Sequence, residues 1–381
     1  MIGVKSMNTQ DDKGVLNTTN SEKFECPQSP GTENPVAYPK RRFPFYRSLL
    51  PWKGDSRRQI IYKTISLLAG CVFVVCAVLL LNDLVIQPAI ADSKQQAVMK
   101  IYYGDSEPPA SSAAAASSSP SAAPAALPER DANRQLIRFL DLQKVNSDIV
   151  GWIKVPNTNI DLPVLQANSK SPEYYLDHDY NKSSSKFGSI FADATSPVAD
   201  SKTKSIILYG HTLNSGRMFT QLNKYKNYDF YKSNPVITFD TIDGPAQWKI
   251  ISVILTNTLP DQGVPFDYMK TKFKTSSDYL NFVYQLRIRS LFNTGISFNA
   301  DDTIVLLSTC SYEFTDFREV VVARKVRNGE SGAVDASRIG YNNEVVFPDC
   351  WYKKNGDTKP VWPTSYEQAV KNKVLSWSEQ E

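Results

Sequence analysis

The spacing of apolar and polar positions changes several times along the chain. Nineteen consecutive residues, Thr64 to Asn82 (TISLLAGCVFVVCAVLLLN), carry no charge and are apolar on every face. That length spans the hydrocarbon core of a bilayer as a helix. Further on, DANRQLIRFLDLQKVN predicts a helix starting near Asp131, with Leu136, Ile137, Leu140 and Val145 on one face behind an Asp cap. From Ile149 the texture becomes short and β-rich: DIVGWIKVP, NIDLPVL, FGSIFAD, SIILYG, PVITFD and WKIISVIL, separated by Pro, Gly, Asn or Asp. SSDYLNFVYQLRIRSLF returns to helical spacing, from Tyr279 to Phe292, and DTIVLLSTC and REVVVARKV read as two last strands. Many short strands with few helices predict a closed barrel or a sandwich. No internal repeat is visible.

Charge adds an orientation. Eight Lys or Arg residues and one acid, Asp55, lie between Lys40 and Lys63, whereas Asp83 to Tyr103 holds two acids and two lysines. The basic side faces the cytosol. This predicts a single-pass plasma-membrane protein with a cytosolic N-terminus and everything after Asp83 outside. A cleaved signal peptide ending at Ala89–Ala91 is the rival, but the leader and the apolar core are both long for one. The expected organisation is a largely disordered cytosolic tail with a basic juxtamembrane stretch (1–63), a transmembrane signal anchor (64–82) and an external stalk (83–130). A catalytic domain (131–327) and a C-terminal extension of unknown role (328–381) follow. Within the stalk, Glu107–Glu129 is a Pro/Ala/Ser tether that would reach roughly 70 Å if fully extended. The formal net charge of +4 is too mild to imply nucleic acid.

Of five cysteines, only Cys310 and Cys350 are expected outside, so no disulfide framework is implied. With two histidines, His178 and His211, and no CxxC pair, no metal or organic cofactor is implied either.

The chemistry gathers at strand ends. Cys310 closes one predicted strand and Arg318 opens the next, with a seven-residue loop between them. An antiparallel pairing sets the two side by side. A guanidinium beside a thiol favours the nucleophilic thiolate and can hold a developing oxyanion. His211 follows another apolar strand, in LYGHTLNSGRMFTQL, where Gly210 and Gly216 let the chain bend. It can carry the proton that a leaving amine needs. Bland alternatives stand beside each reading: Cys310 as a small buried hydrophobe, Arg318 as a solvated edge charge, and a Cys310–Cys350 disulfide. His178, in YYLDHDYN, and Cys350 read as structural.

The segments ILYGHTLNSGRMFTQL, DTIVLLSTCSYEF and REVVVARKV, preceded by NSDIVGWIKVPNTNIDLPVLQ and YYLDHDYNKSSSKFGSIFAD, resemble a class B sortase over about 200 residues. The resemblance implies a mainly β fold: a closed eight-stranded barrel with N-terminal helices and one helix between late strands. It also implies a membrane-tethered cysteine transpeptidase of Gram-positive bacteria. Such an enzyme cuts the sorting motif of a secreted protein after its Thr, holds the acyl group as a thioester, and passes it to an amine of a cell-wall precursor or a pilin. On that resemblance Cys310 matches the nucleophile, His211 the general acid and base, and Arg318 the oxyanion-side arginine. Tyr209 and Ser308 match positions near the peptide groove. The Cys-to-Arg spacing of eight fits class B members with a shorter loop, while ANSKSPE replaces an Asp-Asn pair common before Tyr175. A thiol peptidase without a specific acceptor, or a non-catalytic tethered binding protein, are the competing functions.

Overall fold

The computed structural model describes residues 49–104, 130–131, 136–375 and 377. The chain divides into two compact units, with the boundary between Leu81 and Asn82. In the first, α1 (Arg57–Leu81) has no buried residue. Leu68, Phe73, Leu79 and their neighbours are exposed around its whole circumference. Its apolar window has a mean hydropathy of 2.8, long and apolar enough to cross a membrane. The first 48 residues of the expected cytosolic tail, and the Glu107–Glu129 tether, lie outside the described residues.

The second unit opens on a π-helical turn, Asn82–Ile86, followed by α2 (Gln87–Tyr103). The wider turn directly precedes Pro88, which has no N–H to give and whose ring crowds the carbonyl four residues back. Helix α2 overlaps the segment read from sequence as a stalk, yet it packs on the folded body. Val98 and Tyr102 are buried, and the Tyr102 ring stacks on Trp152 at 4.1 Å. Tyr102 donates to Asp240 at 2.6 Å and Tyr103 to Asp161 at 2.9 Å. Lys94 and Arg217 add ion pairs to Asp179 and Asp92. The folded body therefore begins well before Asp131. The next helix, α3 (Ile137–Val145), starts later than the Asp cap suggests, and Leu136 is its cap residue. It turns Leu136, Phe139 and Leu142 to the core and leaves Val145 exposed, because Trp152 and Tyr102 lie on that side.

Eight strands form the barrel: β1 (Ile149–Lys154), β2 (Asp161–Gln166), β3 (Ile190–Ala192), β4 (Ser205–Tyr209), β5 (Val236–Thr241), β6 (Gln247–Thr256), β8 (Ile304–Ser311) and β9 (Phe317–Lys325). They close in the order β1-β2-β3-β4-β8-β9-β6-β5. Each of the eight expected β segments supplies one. Pairings β2/β3 and β4/β8 are parallel, and the rest are antiparallel. Side chains alternate inward and outward along each strand. Val305, Leu307, Val321 and Ala323 fill the interior with Phe219 and Leu222 of a 3-10 segment, Phe219–Lys226. Leu306, Val320 and Val322 face outward under α5 (Ser276–Ile288). A short α4 (Tyr228–Ser233) precedes β5. Thr275 caps α5 by accepting from the Asp278 amide at 3.1 Å, so the helix begins three residues before the expected Tyr279, and it ends at Ile288, short of Phe292, which is in a strand.

The C-terminal extension packs on the barrel unit. Its two-residue strand β10 (Gly340–Tyr341) pairs with β7 (Phe292–Asn293). Helices α6 (Asp349–Asn355) and α7 (Tyr366–Lys371) follow, with α7 against α5.

Candidate active site

Three neighbouring strands deliver the site. In the β8/β9 register Cys310 lies directly opposite Arg318, so both side chains leave the same face of the sheet, with Cα atoms about 5 Å apart. On the other flank, β4 runs parallel to β8 with Tyr209 opposite Ser308. The ladder continues one step further through the Gly210 amide, which donates to the Ser308 carbonyl at 3.3 Å. Two residues past that pair, His211 stands beside Cys310. His211, Cys310 and Arg318 thus form a row across one barrel end, and all three are half-buried.

Hydroxyls take over where the backbone ladder ends. Thr309 donates to the Gly210 carbonyl at 2.7 Å, and Thr212 donates to the Cys310 carbonyl at 2.8 Å. The two hydroxyl oxygens are also 2.7 Å apart, and with one proton each they share three contacts, making two of them at any moment. This clamp ties the residues on both sides of His211 to the segment ending in Cys310. Gly210 serves it by close approach, since a Cβ there would lie 2.7 Å from the Phe219 ring. Gly216, at φ +74°, supplies the bend expected of both glycines.

The imidazole is oriented from its far side. His211 Nε2 lies 2.8 Å from the Leu176 carbonyl. A carbonyl only accepts, so Nε2 carries the hydrogen and Nδ1 is left as the basic nitrogen. The Leu176 carbonyl sits where Gly188, at φ +60°, passes so close that a Cβ would fall 2.4 Å from that oxygen. Arg318 donates to the carbonyls of Asp316 and Phe317 at 3.3 and 3.1 Å. Among the described residues, no hydrogen bond joins the Cys310 thiol to either partner.

Ser308 and Tyr209 are less open than a groove contact suggests. Ser308 is buried, and its hydroxyl is 2.9 Å from that of Tyr268. Tyr209 donates to Asp193 at 3.0 Å. Burial holds the hydroxyls of Tyr209 and Tyr268 above the ordinary phenol range, with Asp193 adding to the effect at Tyr209. Tyr268 stands near Cys310 and Arg318. Sequence reasoning missed Tyr268 because it lies in a loop with no periodicity, and it missed Thr212 and Thr309 because hydroxyls at strand ends are commonplace. Their adjacency to His211 and Cys310 was the available signal.

The extension reaches the site's margin. Phe314, in the loop after Cys310, contacts Trp351 at 6.2 Å between ring centroids, and Lys354 lies over its ring at 4.8 Å. Beyond Arg318, a cavity of about 340 Å³ lies between Thr256, Phe266, Asp267, Arg289, Phe347 and Asp349. His178 stacks on Tyr174 and its Nδ1 lies 2.9 Å from the Tyr174 carbonyl. Cys310 and Cys350 are both free thiols, and burial raises the pKa of Cys350.

A sortase-domain family model matches residues 153–326, which span both β4 and β9. Sortase B of Staphylococcus aureus is 34% identical over 192 residues, covering 50% of this chain and 75% of that protein. The chain is a class B sortase. Sortase B of Listeria monocytogenes is likewise 34% identical over 175 residues, covering 45% of this chain and 67% of the relative. The crystal structure of sortase B from Bacillus anthracis in complex with AAEK1 has a TM-score of 0.51 at 28% identity, covering 64% of this chain and 99% of that one. The closed eight-stranded barrel, the N-terminal helices and α5 between late strands are the architecture of this sortase, and its activity is that of a cysteine transpeptidase.

Proposed function

We propose that the sortase works through a thioester on Cys310. The thiolate attacks the carbonyl carbon of the residue, expected to be Thr, at which the sorting motif is cut. The carbonyl π pair moves onto oxygen, and the Arg318 guanidinium holds that oxyanion. When the tetrahedral adduct collapses, the C–N bond breaks and protonated His211 gives its proton to the leaving amine. The acceptor amine then attacks the thioester and surrenders a proton to His211. The C–S bond breaks and the thiolate returns. The product is a new amide, and no water is consumed. Tyr209 and Ser308 act as supports of the peptide groove, through Asp193 and Tyr268.

The observation that supports this reading is the row itself: a thiol, an imidazole and a guanidinium from β8, the end of β4 and β9 at one barrel end. The acceptor is an amine of a cell-wall precursor or a pilin, and the donor is a secreted protein bearing a sorting motif. Helix α1 is the membrane anchor, with the basic N-terminal side in the cytosol and the barrel outside. Epitope tags appended at each terminus test that arrangement on intact protoplasts, where only the C-terminal one should be accessible to antibody.

The deciding experiment incubates the full chain with a peptide library and an amine acceptor, then reads products by mass spectrometry. Amine-dependent ligation is expected, with both cleavage and ligation lost in Cys310→Ala. Ligation retained in that variant overturns the assignment. Cleavage at one rate with or without amine, and no ligated product, would favour a plain peptidase.

A further inference from the structure

The cavity of about 340 Å³ beyond Arg318 has the size of a small ligand pocket. The end of β6 lines one side of it, where Thr256 lies opposite Arg318 in the β6/β9 register. Arg289, the cap residue after α5, lines another, and its neighbour Ser290 is bridged to Ile254 of β6. The C-terminal extension completes the wall with Phe347, Asp349 and Lys359. It is tied on beside Arg289, since the Val346 amide donates to the Ile288 carbonyl at 3.0 Å.

Arg289 is half-buried, and only part of its guanidinium is used. Nη1 donates to the carbonyl and the side-chain oxygen of Gln285 at 3.0 and 2.6 Å. The guanidinium carbon lies over the Phe266 ring at 4.3 Å. These contacts hold the group in place. Among the described residues, Nε and Nη2 donate to nothing, and no carboxylate forms an ion pair with Arg289. That edge carries two parallel N–H bonds, the arrangement that takes a carboxylate bidentately. The end of α5 favours a cation there but offers this edge no directed acceptor. Of the acids lining the cavity, Asp349 is already paired with Lys359 at 2.8 Å, and Asp267 is exposed. Asn257 lines the cavity too. Its side-chain nitrogen donates to the carbonyls of Leu259 and Gly263 at 2.9 and 2.7 Å, which leaves Oδ1 as an acceptor. The cavity therefore offers a two-donor cation and a neutral acceptor, the complement of an acidic residue and a peptide N–H.

Strand order says which part of a substrate reaches it. His211, Cys310, Arg318 and Thr256 stand on β4 and its end, β8, β9 and β6, in that sequence across the barrel. The leaving amine faces His211, so the acyl half of the donor is the part that runs toward β6. Two strand spacings separate Cys310 from Thr256, roughly 10 Å. An extended chain covers that in about three residues. We propose that the cavity is a subsite for an acidic side chain of the secreted donor, about three or more residues before the cut, with Arg289 as its bidentate partner and the C-terminal extension as its wall. The inference rests on the assignment of Cys310, His211 and Arg318 to the chemistry, which sets the direction of the bound chain. Arg289 is then a specificity-determining residue: it selects donors and takes no part in bond making.

The test is a binding selection on the full chain carrying Cys310→Ala, in detergent micelles. The probe is a peptide library with randomised residues before a fixed Thr, and retained peptides are sequenced by mass spectrometry. Asp or Glu should be enriched severalfold at one position, three or more residues before the Thr. Arg289→Gln in the same background should lose that enrichment and keep the preferences at other positions. Arg289→Lys should recover part of it, because an ammonium keeps the charge without the fork. Exchanging Glu for Gln at the selected position of the peptide should weaken binding to the parent chain about tenfold, a comparison that needs no Arg289 variant to fold. Three results overturn the proposal: no acid enriched, enrichment that persists in Arg289→Gln, or a preference for Lys or Arg at that position, which Asp267 would give. Binding needs no thiol, so a wild-type chain that forms no ligated product would refute the thioester reading and leave this result intact. Ligation that proceeds equally well with Glu or Gln at that position would refute the subsite and leave the thioester reading standing.

Discussion

Cys310 and Arg318 are direct register partners on adjacent antiparallel strands, one ending and the other beginning at the same barrel rim. Backbone hydrogen bonds therefore fix the two Cα atoms relative to each other, and the carbonyls of Asp316 and Phe317 at the end of the loop hold the guanidinium. Arg318→Ala should lower kcat by roughly 10²- to 10³-fold, the usual effect of removing an oxyanion donor. Arg318→Lys should recover only part of that, because an ammonium lacks the planar fork. Steady-state ligation kinetics read both, and an Arg318→Ala enzyme with unchanged kcat would remove Arg318 from the mechanism.

Gly210→Ala should injure the site without touching a reacting group. The added methyl meets the Phe219 ring, and overpacking of this kind costs about 1–3 kcal/mol. Urea denaturation should show that loss, and ligation should fall further than stability alone explains, because His211 is the next residue.

The pH dependence of stability should carry two opposite contributions. Glu319 has a folded pKa of about 8, above its ordinary value near 4.5. The folded state then holds an extra proton between those values, and stability falls with rising pH by about 1.4 kcal/mol per unit across that window. Glu319→Gln should flatten the slope. Glu330 is the reverse case. Hydrogen bonds from Arg324 and Lys249 hold its carboxyl well below the usual range. Its contribution is complete above the ordinary carboxylate pKa and disappears as pH falls into strong acid. Arg324 is fully buried, so Glu330→Gln at neutral pH should cost about 3–5 kcal/mol, as removing one member of a buried pair does. Chemical denaturation across pH measures both.

Trp351→Ala should test what the C-terminal extension does for the site. Trp351 stacks on Phe347 at 4.1 Å and touches Phe314 in the loop between Cys310 and Arg318. Removing it should raise KM for the sorting peptide severalfold with little change in kcat, because the loop loosens while the register pair stays. Equal KM values in wild type and variant would make the extension a mere cover of the barrel.

Much of this site was legible in the sequence because β-structure writes a short period. Each apolar run that became a barrel strand was bounded by turn residues, and Cys310, Arg318 and His211 all stood at run ends. Register then followed from a short loop. What stayed hidden depends on partners remote in sequence. Helix α2 fully buries only Val98 and Tyr102, one turn apart, and the polar run Asp92–Gln96 interrupts it, so no continuous apolar stripe announced it. The phase of α3 was misjudged for the same reason: Phe139 and Leu142 are inside because Tyr102 and Trp152 are there to receive them. Tyr268 arrives from a loop, and only the folded chain shows that it meets Ser308.

The docking of α2 also changes what the Pro/Ala/Ser stretch can do. The chain is already fastened to the barrel at Tyr103 through Asp161, before that stretch begins, and is fastened again where Arg130 donates to the Asp243 carbonyl at 2.8 Å. An insert between two moorings on one body is no ruler. The separation between Tyr103 and Arg130 is set by these moorings, and the stretch between them does not set it.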